Sequence, residues 1–275
     1  MQSKYLIDFC FFGSTYMNKM RLKKQLEGKS ILITGASSGI GEQLAYELAS
    51  INCHLILVAR QGDKLENIKS EIEAMNCTKV SIFQADLRNE SETLEFLAFL
   101  HKLPDGLDIV VSNAGLSINR SIYESLDRFH DFTRTMSINY YAPVQLLLSI
   151  IPQLQKNGGQ IINVSTINAL LAPVPYFAAY QASKTAFDVW LRSVAPELKA
   201  KGIITTTVYF PLVNTPMIQP TTAYQNKPAL SKQGAAKIIC KAMYRKKKKM
   251  KPWWLIFGQF VSIFLNSFIN FTKKR

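Results

Sequence analysis

Acidic residues are missing from the last part of this 275-residue chain: no Asp or Glu follows Glu197, while 15 Lys and Arg lie between Lys199 and Arg275. The remainder, 18 basic against 19 acidic residues, sums to −1, so the net charge of +14 belongs to the C-terminal quarter. Cysteine is also scarce. Cys10, Cys53, Cys77 and Cys240 are scattered without a C-x-x-C pair, and His54, His101 and His130 do not cluster with them. That distribution indicates neither a disulfide framework nor a zinc site, and reads as reduced thiols in a cytosolic protein. With 48% apolar residues, a chain of this length can bury one full core, which a single domain would supply.

The ends of the chain differ from its middle. Six of the seven residues from Arg245 to Lys251 are basic; Pro252 follows, then an uncharged run from Trp253 to Phe271, closed by Lys273-Lys274-Arg275. Basic residues beside an aromatic-rich apolar segment favour an anionic membrane surface over nucleic acid. The run of 19 residues is just long enough to span a bilayer, yet Gln259, Ser262, Asn266 and Asn270 would form one polar stripe on a helix, as in a helix lying in the interface. Positive charge at both ends gives no orientation. Interfacial attachment is the favoured reading, beside a single span or a tail folded onto the protein or a second subunit. At the other end, Phe9 to Phe12 is too short for a span, and Asp8 spoils a signal peptide. Residues 1–26 are expected to be a poorly ordered extension, with Met17 and Met20 as alternative translation starts.

Between the ends, short runs rich in Ile and Val alternate with segments of helix length. The strand candidates are Ser30–Thr34, His54–Ala59, Lys79–Phe83, Asp108–Ser112, Gln160–Val164 and Ile203–Tyr209. The helix candidates are Gly41–Ser50, Asp63–Met75, Ser91–His101, Phe132–Gln155 and Ala178–Ala200. Nearly continuous apolar strands separated by helices predict an α/β domain over 27–245, a doubly wound parallel sheet with helices on both faces, Rossmann-like.

The first strand runs into Thr34-Gly35-Ala36-Ser37-Ser38-Gly39-Ile40-Gly41. Glycines at these spacings permit a tight turn, close approach of backbone N–H groups to a pyrophosphate, and close contact of helix with sheet. Gly35, Ser37, Ser38, Gly39, Ile40 and Gly41 are therefore cofactor candidates. Arg60 closes the second strand, where an acidic residue would bond a ribose 2′-hydroxyl and an arginine would pair with a 2′-phosphate. No acid stands in 57–61, which argues for NADP(H).

Further on, Tyr180-Gln181-Ala182-Ser183-Lys184 puts a phenol and an ammonium at i and i+4, on one helix face. A tyrosine with its ordinary pKa of about 10 is a poor acid near neutrality. A neighbouring lysine is expected to lower that value, so that Tyr180 can give a proton to a carbonyl oxygen while Lys184 also holds the nicotinamide ribose.

These residues, with Asp86-Leu87 after the third strand, Asn113-Ala114-Gly115 after the fourth, Asn139, Ser165-Thr166 after the fifth, and Pro211 with Thr215 after the sixth, resemble the short-chain dehydrogenase/reductase family over roughly 29–245. The resemblance implies that Asp86 and Leu87 contact the adenine, that Asn113 to Gly115 line the cofactor cleft, and that Thr215, beside Pro211, meets the nicotinamide carboxamide. It implies that Asn139 holds a water linking Lys184 to solvent, and that a hydroxyl of the fifth strand bonds the substrate carbonyl. The family usually has serine where Thr166 stands; Thr166 is favoured and Ser165 kept.

Pro211-Leu212-Val213-Asn214-Thr215-Pro216-Met217-Ile218, with Pro220, Tyr224, Asn226 and Pro228 beyond it, looks like the reductase domain of bacterial long-chain fatty acyl-CoA reductases. That resemblance implies hydride transfer to a thioester carbonyl, with no cysteine nucleophile, and suggests that lysines from Lys199 to Lys241 attract the coenzyme A phosphates. The expected function is NADPH-dependent reduction of fatty acyl-CoA to fatty aldehyde. Alternatives are a ketone or secondary-alcohol oxidoreductase on another lipophilic substrate, and a non-catalytic cofactor-binding membrane protein. Expected partners are the lipophilic substrate, an anionic membrane contacted by the 246–275 tail, and a second copy in a dimer or tetramer, with no nucleic acid. The expected location is cytoplasmic, peripheral at the inner face of a membrane.

Overall fold

The computed structural model describes residues 2–75, 77–219, 221, 224 and 227–262. Two helices, α1 (Gln2–Phe12) and α2 (Lys19–Leu26), precede the sheet. Strands and helices then alternate: β1 (Ser30–Thr34), α3 (Gly39–Leu48), β2 (His54–Ala59), α4 (Gly62–Glu73), β3 (Lys79–Gln84), α5 (Glu90–His101) and β4 (Ile109–Ser112). The second half holds α6 (Phe129–Met136), α7 (Ala142–Asn157), β5 (Gln160–Thr166), α8 (Ala178–Ala200), β6 (Ile204–Phe210), β7 (Val213–Asn214), β8 (Leu230–Ser231), α9 (Lys232–Arg245) and β9 (Lys249–Met250).

Seven strands form one parallel sheet in the order β3-β2-β1-β4-β5-β6-β9. This is the doubly wound, Rossmann-like sheet that the alternation predicts. The chain reverses direction across the sheet between β1 and β4, and that switch point opens a crevice at the C-terminal strand ends. Side chains of successive strand residues go to opposite faces: Ile31 and Ile33 join a core with α3, α4 and α9, while Leu32 joins a second core with α5, α7 and α8. Burial on both faces explains why the strands read as unbroken apolar runs.

Three differences from the sequence reading bear on function. The helix expected over Phe132–Gln155 is interrupted by a π-helical turn at Ser137–Tyr141, which separates α6 from α7 and carries Asn139. In place of a poorly ordered extension up to Leu26, the structure has α1 and α2, anchored by buried Leu22, Leu26 and Asp8. The Asp8 carboxylate accepts from the backbone N–H (2.7 Å) and hydroxyl (2.6 Å) of Ser231, a long-range partner that a local reading of the acid does not see.

The start of the basic tail is also structural. Lys249 and Met250 pair with Thr207 and Val208, because the edge of β6 otherwise leaves its backbone groups unpaired. A last helix occupies 255–262, with Leu255 fully buried. No helix among the described residues is long and apolar enough to cross a membrane. The rest of the uncharged run, from 263 onward, lies outside the described residues.

Candidate active site

The C-terminal strand ends and the loops after them enclose a cleft of about 430 Å³. Gly35, Ser37, Ser38, Gly39 and Ile40 line one end of it. Ser38 is the N-cap of α3 but makes no side-chain bond to its first turn, so those N–H groups are not taken by a side-chain cap and stay open where Gly39 and Ile40 line the cleft. The cradle tolerates no side chain. A Cβ on Gly35, whose φ is +67°, would come within 2.9 Å of Ala114 Cα, and one on Gly41 would run into the carbonyl oxygen of Gly35. Gly41 thus stands behind the wall and lets α3 approach the strand. Thr34 and Asn113 lock this end: the Thr34 hydroxyl accepts from the N–H groups of Asn113 and Ala114 (both 2.9 Å), and the Asn113 amide donates to the carbonyls of Thr34 (2.9 Å) and Gly35 (3.2 Å).

Beyond the cradle, Arg60, Asp86, Leu87 and Arg88 line the cleft together. Arg88 grips Asp86 through Nε (2.9 Å to Oδ1) and Nη2 (2.5 Å to Oδ2), and its hydrogen bonds hold the Asp86 carboxyl below the usual range. Two guanidiniums therefore frame this end against one carboxylate. The sequence reading found Arg60 and missed Arg88; its signal was a base two residues after the acid that follows the third strand.

The chemical end is built by β5 and α8. Val164, Ser165, Thr166, Tyr180, Lys184 and Ile138 line it, with Gly115 opposite. The Thr166 hydroxyl stands beside the Tyr180 hydroxyl and lowers its pKa, whereas the Ser165 hydroxyl is buried with no partner. Of the two candidate hydroxyls, geometry brings Thr166 to the phenol. Tyr180 keeps part of its surface open to the cleft, but burial dominates its chemistry and pushes its pKa up to about 12; Thr166 pulls it down and nearby Tyr224 adds to the rise. The expectation that Lys184 makes this phenol acidic does not hold in the chain alone. Lys184 is itself buried, which lowers its pKa to about 8, and its Nζ donates to the carbonyl of Val164 (3.2 Å). Desolvation exceeds any attraction between the two groups.

Asn139 lies behind Gly115. Its Oδ1 accepts from Leu116 N–H (2.9 Å), and its Nδ2 donates to the Leu116 carbonyl (2.9 Å) and the Ser183 hydroxyl (2.9 Å). The side chain thus ties the loop after β4 to α8. Four residues on stands Pro143, which has no N–H to give the Asn139 carbonyl.

Around the substrate side, Leu212, Met217 and Ile218 supply apolar wall, with Pro211 and Thr215 beside them. Tyr224 stacks on Phe177 at 5.9 Å between centroids. The strap from Ile167 to Tyr176 is held by Gln181, whose Nε2 donates to the Asn168 carbonyl (2.7 Å) and whose Oε1 accepts from Val174 N–H (2.8 Å). Gln181 was passed over in the sequence because it fills a variable place between Tyr180 and Lys184. Among the described residues, no lysine from Lys199 to Lys241 lines the cleft; Lys232 pairs with Glu42 and Lys241 donates to the Ser14 carbonyl.

The family model described as short chain dehydrogenase matches residues 29–226. A fatty acyl-CoA reductase of Acinetobacter baylyi is 41% identical over 229 residues, covering 83% of this chain and 77% of that one. A fatty acyl-CoA reductase of Mycobacterium tuberculosis is 39% identical over 228 residues, covering 82% and 77%. L-sorbose reductase from Gluconobacter frateurii, solved with NADPH and L-sorbose, superposes with a TM-score of 0.73 at 23% identity, over 82% of this chain and 94% of that one.

Proposed function

Since the chain belongs to the short-chain dehydrogenases, we propose that it reduces long-chain fatty acyl-CoA to fatty aldehyde with NADPH. It is an oxidoreductase of the NADP(H)-using kind, and the residues present fit that cofactor: the glycine cradle and open α3 N-terminus suit a pyrophosphate, and Arg60 with Arg88 suits a 2′-phosphate. The observation that carries the substrate is the 41% identity to an acyl-CoA reductase across most of both chains.

NADPH, when bound, supplies the hydride. Tyr180, protonated at neutral pH as any phenol is and kept so by burial, gives its proton to the carbonyl oxygen as charge develops there. Thr166 bonds that oxygen beside the phenol and holds the phenol in line. The hemithioacetal so formed collapses to aldehyde and free coenzyme A thiol. Lys184 orients the nicotinamide ribose and passes a proton on to Tyr180, recovering its own from solvent through a water on the main-chain carbonyl of Asn139, which Pro143 leaves without its usual helical donor. Of the four cysteines none lines the cleft, in keeping with direct hydride attack on the thioester.

Positive charge for the coenzyme A phosphates comes from Arg120, Arg128 and Arg134, gathered on buried Asp131. Arg120 N–H donates to the Tyr176 carbonyl, which brings this cluster to the strap. The enzyme works in the cytoplasm against the inner face of a membrane, held by its C-terminal tail. It forms a dimer or tetramer through α7 and α8, where Leu148 and Val189 are exposed.

Purified protein given NADPH and palmitoyl-CoA should consume the nicotinamide absorbance and release one free thiol for each NADPH. NADPH consumption with lipophilic ketones and none with palmitoyl-CoA would move the assignment to a ketone reductase.

A further inference from the structure

The N-terminal helix and the last helix meet beside the cleft. Trp254 Nε1 donates to the Phe11 carbonyl (3.0 Å), and Phe12 packs its ring against Phe210 at 5.5 Å; Phe210 is itself a wall of the cleft. On the other side, the last helix holds the substrate strap: Gln259 Nε2 donates to the Leu170 carbonyl (3.1 Å), and Ser262 Oγ accepts from Ala172 N–H (3.3 Å). The polar stripe seen in the sequence is thus turned, at Gln259 and Ser262, toward the protein.

What faces outward is apolar. Leu6 and Phe9 on α1, Trp253 in the turn before the last helix, and Phe257 and Phe260 on that helix each leave more than half of their surface exposed. Large aromatic side chains left together on a surface mark an interaction site. The charge around them selects its partner. Asp8, the one acid before Glu27, is buried against Ser231, and no acid follows Glu197, so neither helix presents negative charge. Six basic residues from Arg245 to Lys251 are separated from Trp253 by Pro252 alone. Cationic residues adjoining exposed aromatics suit an anionic bilayer, where the rings enter the acyl boundary and the lysines meet the headgroups.

We infer that α1 and the last helix form one composite surface that seats the mouth of the cleft on an anionic membrane, so that a lipophilic chain passes from lipid to Tyr180 between the strap and Met217. The inference rests on the lipophilic-substrate reading and adds that the N-terminal helix is half of the membrane contact. It also explains why α1 is clamped to α9 through Asp8, and to the last helix through Phe11, before it meets lipid.

The test uses the full chain and two double variants, Leu6→Glu with Phe9→Glu, and Phe257→Glu with Phe260→Glu. Binding is read by co-sedimentation with vesicles of phosphatidylglycerol and phosphatidylcholine, and by quenching of tryptophan fluorescence with brominated lipid. The unaltered protein should bind the anionic vesicles and leave pure phosphatidylcholine unbound. Each double variant should bind at least about tenfold more weakly, since two apolar groups no longer enter the acyl boundary, while NADPH affinity and melting temperature stay as they were. Binding by the α1 variant equal to that of the unaltered chain would remove α1 from the surface and overturn the inference. So would a fall of the variants from oligomer to monomer in sedimentation with vesicle binding unchanged, since a second copy would then be the occupant. Vesicle binding is read without turnover, so failure to reduce palmitoyl-CoA would count against the proposed reaction and leave this surface standing.

Discussion

Lys184 directs its ammonium to the main chain of β5, donating from Nζ to the Val164 carbonyl over 3.2 Å. Burial lowers the pKa of this lysine from 10.5 to about 8. A folded value below the unfolded one means that the buried charge weakens the fold at neutral pH. Between pH 8 and 10.5 the native state releases a proton that the unfolded state keeps, and the penalty is relieved. Removing the amine with Lys184→Met should therefore raise the melting temperature of the cofactor-free protein at pH 7, and the advantage should shrink by pH 10. The full shift corresponds to about 3 kcal/mol. A difference that stays constant across that window would show that the ammonium is not desolvated.

Tyr180→Phe keeps the ring against Phe177 and Tyr224 but removes the proton donor, so NADPH binding should persist while turnover falls by about 10² to 10⁴. The two hydroxyls of β5 should separate in the same assay. Thr166→Ala deletes the hydroxyl beside the phenol and should reduce turnover by about 10². Ser165→Ala removes a buried hydroxyl without a partner, which should leave turnover within a few-fold and the stability equal or slightly higher. Equal losses in the two variants would mean that both hydroxyls serve the carbonyl.

The sheet and most of the cleft were legible because their signals are local. Five strands announce themselves as apolar runs between Ser30 and Val164, and the cradle is a contiguous motif from Thr34 to Gly41. What was not legible depends on distant partners. Asp8 looks like an interruption of an apolar stretch until Ser231 is placed beside it, 223 residues away. Lys249 and Met250 look like part of a solvated basic run because only the open edge of β6 makes them a strand. The π-helical turn was hidden for another reason: Pro143 falls at the start of a helical pattern that continues on both sides, so the period alone does not mark a break at Ser137–Tyr141. Even the acidity of Tyr180 belongs here, since residue spacing reports the nearness of Lys184 but not the burial that outweighs it.

Arg60 and Arg88 make a joint forecast for cofactor choice. Each guanidinium lost from a 2′-phosphate should cost about 1.5 to 3 kcal/mol, or roughly ten- to a hundredfold in NADPH affinity, with NADH affinity nearly unchanged. Arg60→Asp should bring the preference toward NADH. Arg88→Gln tests the second arginine, and also frees the Asp86 carboxylate that Arg88 now holds. Titration of nicotinamide fluorescence with both cofactors reads the ratio directly, and an unchanged ratio in the Arg88 variant would confine phosphate recognition to Arg60.

Asp8 joins α1 to the N-terminus of α9, where Ser231 both accepts from Gly234 N–H (2.9 Å) as the helix cap and gives its own hydroxyl proton to the carboxylate. Asp8→Ala leaves the Ser231 N–H without its partner in a buried site, a loss of about 1 to 3 kcal/mol. NADPH, by binding only the native state, should raise the melting of variant and unaltered protein alike where the cradle is intact; because α9 packs on α3, which carries that cradle, the variant should bind it more weakly and gain less. Thermal denaturation with and without NADPH checks both statements. A variant that melts with the unaltered protein would show that the first helix does not support the dinucleotide half of the fold, and an NADPH gain equal to that of the unaltered protein would separate α1 from the cradle.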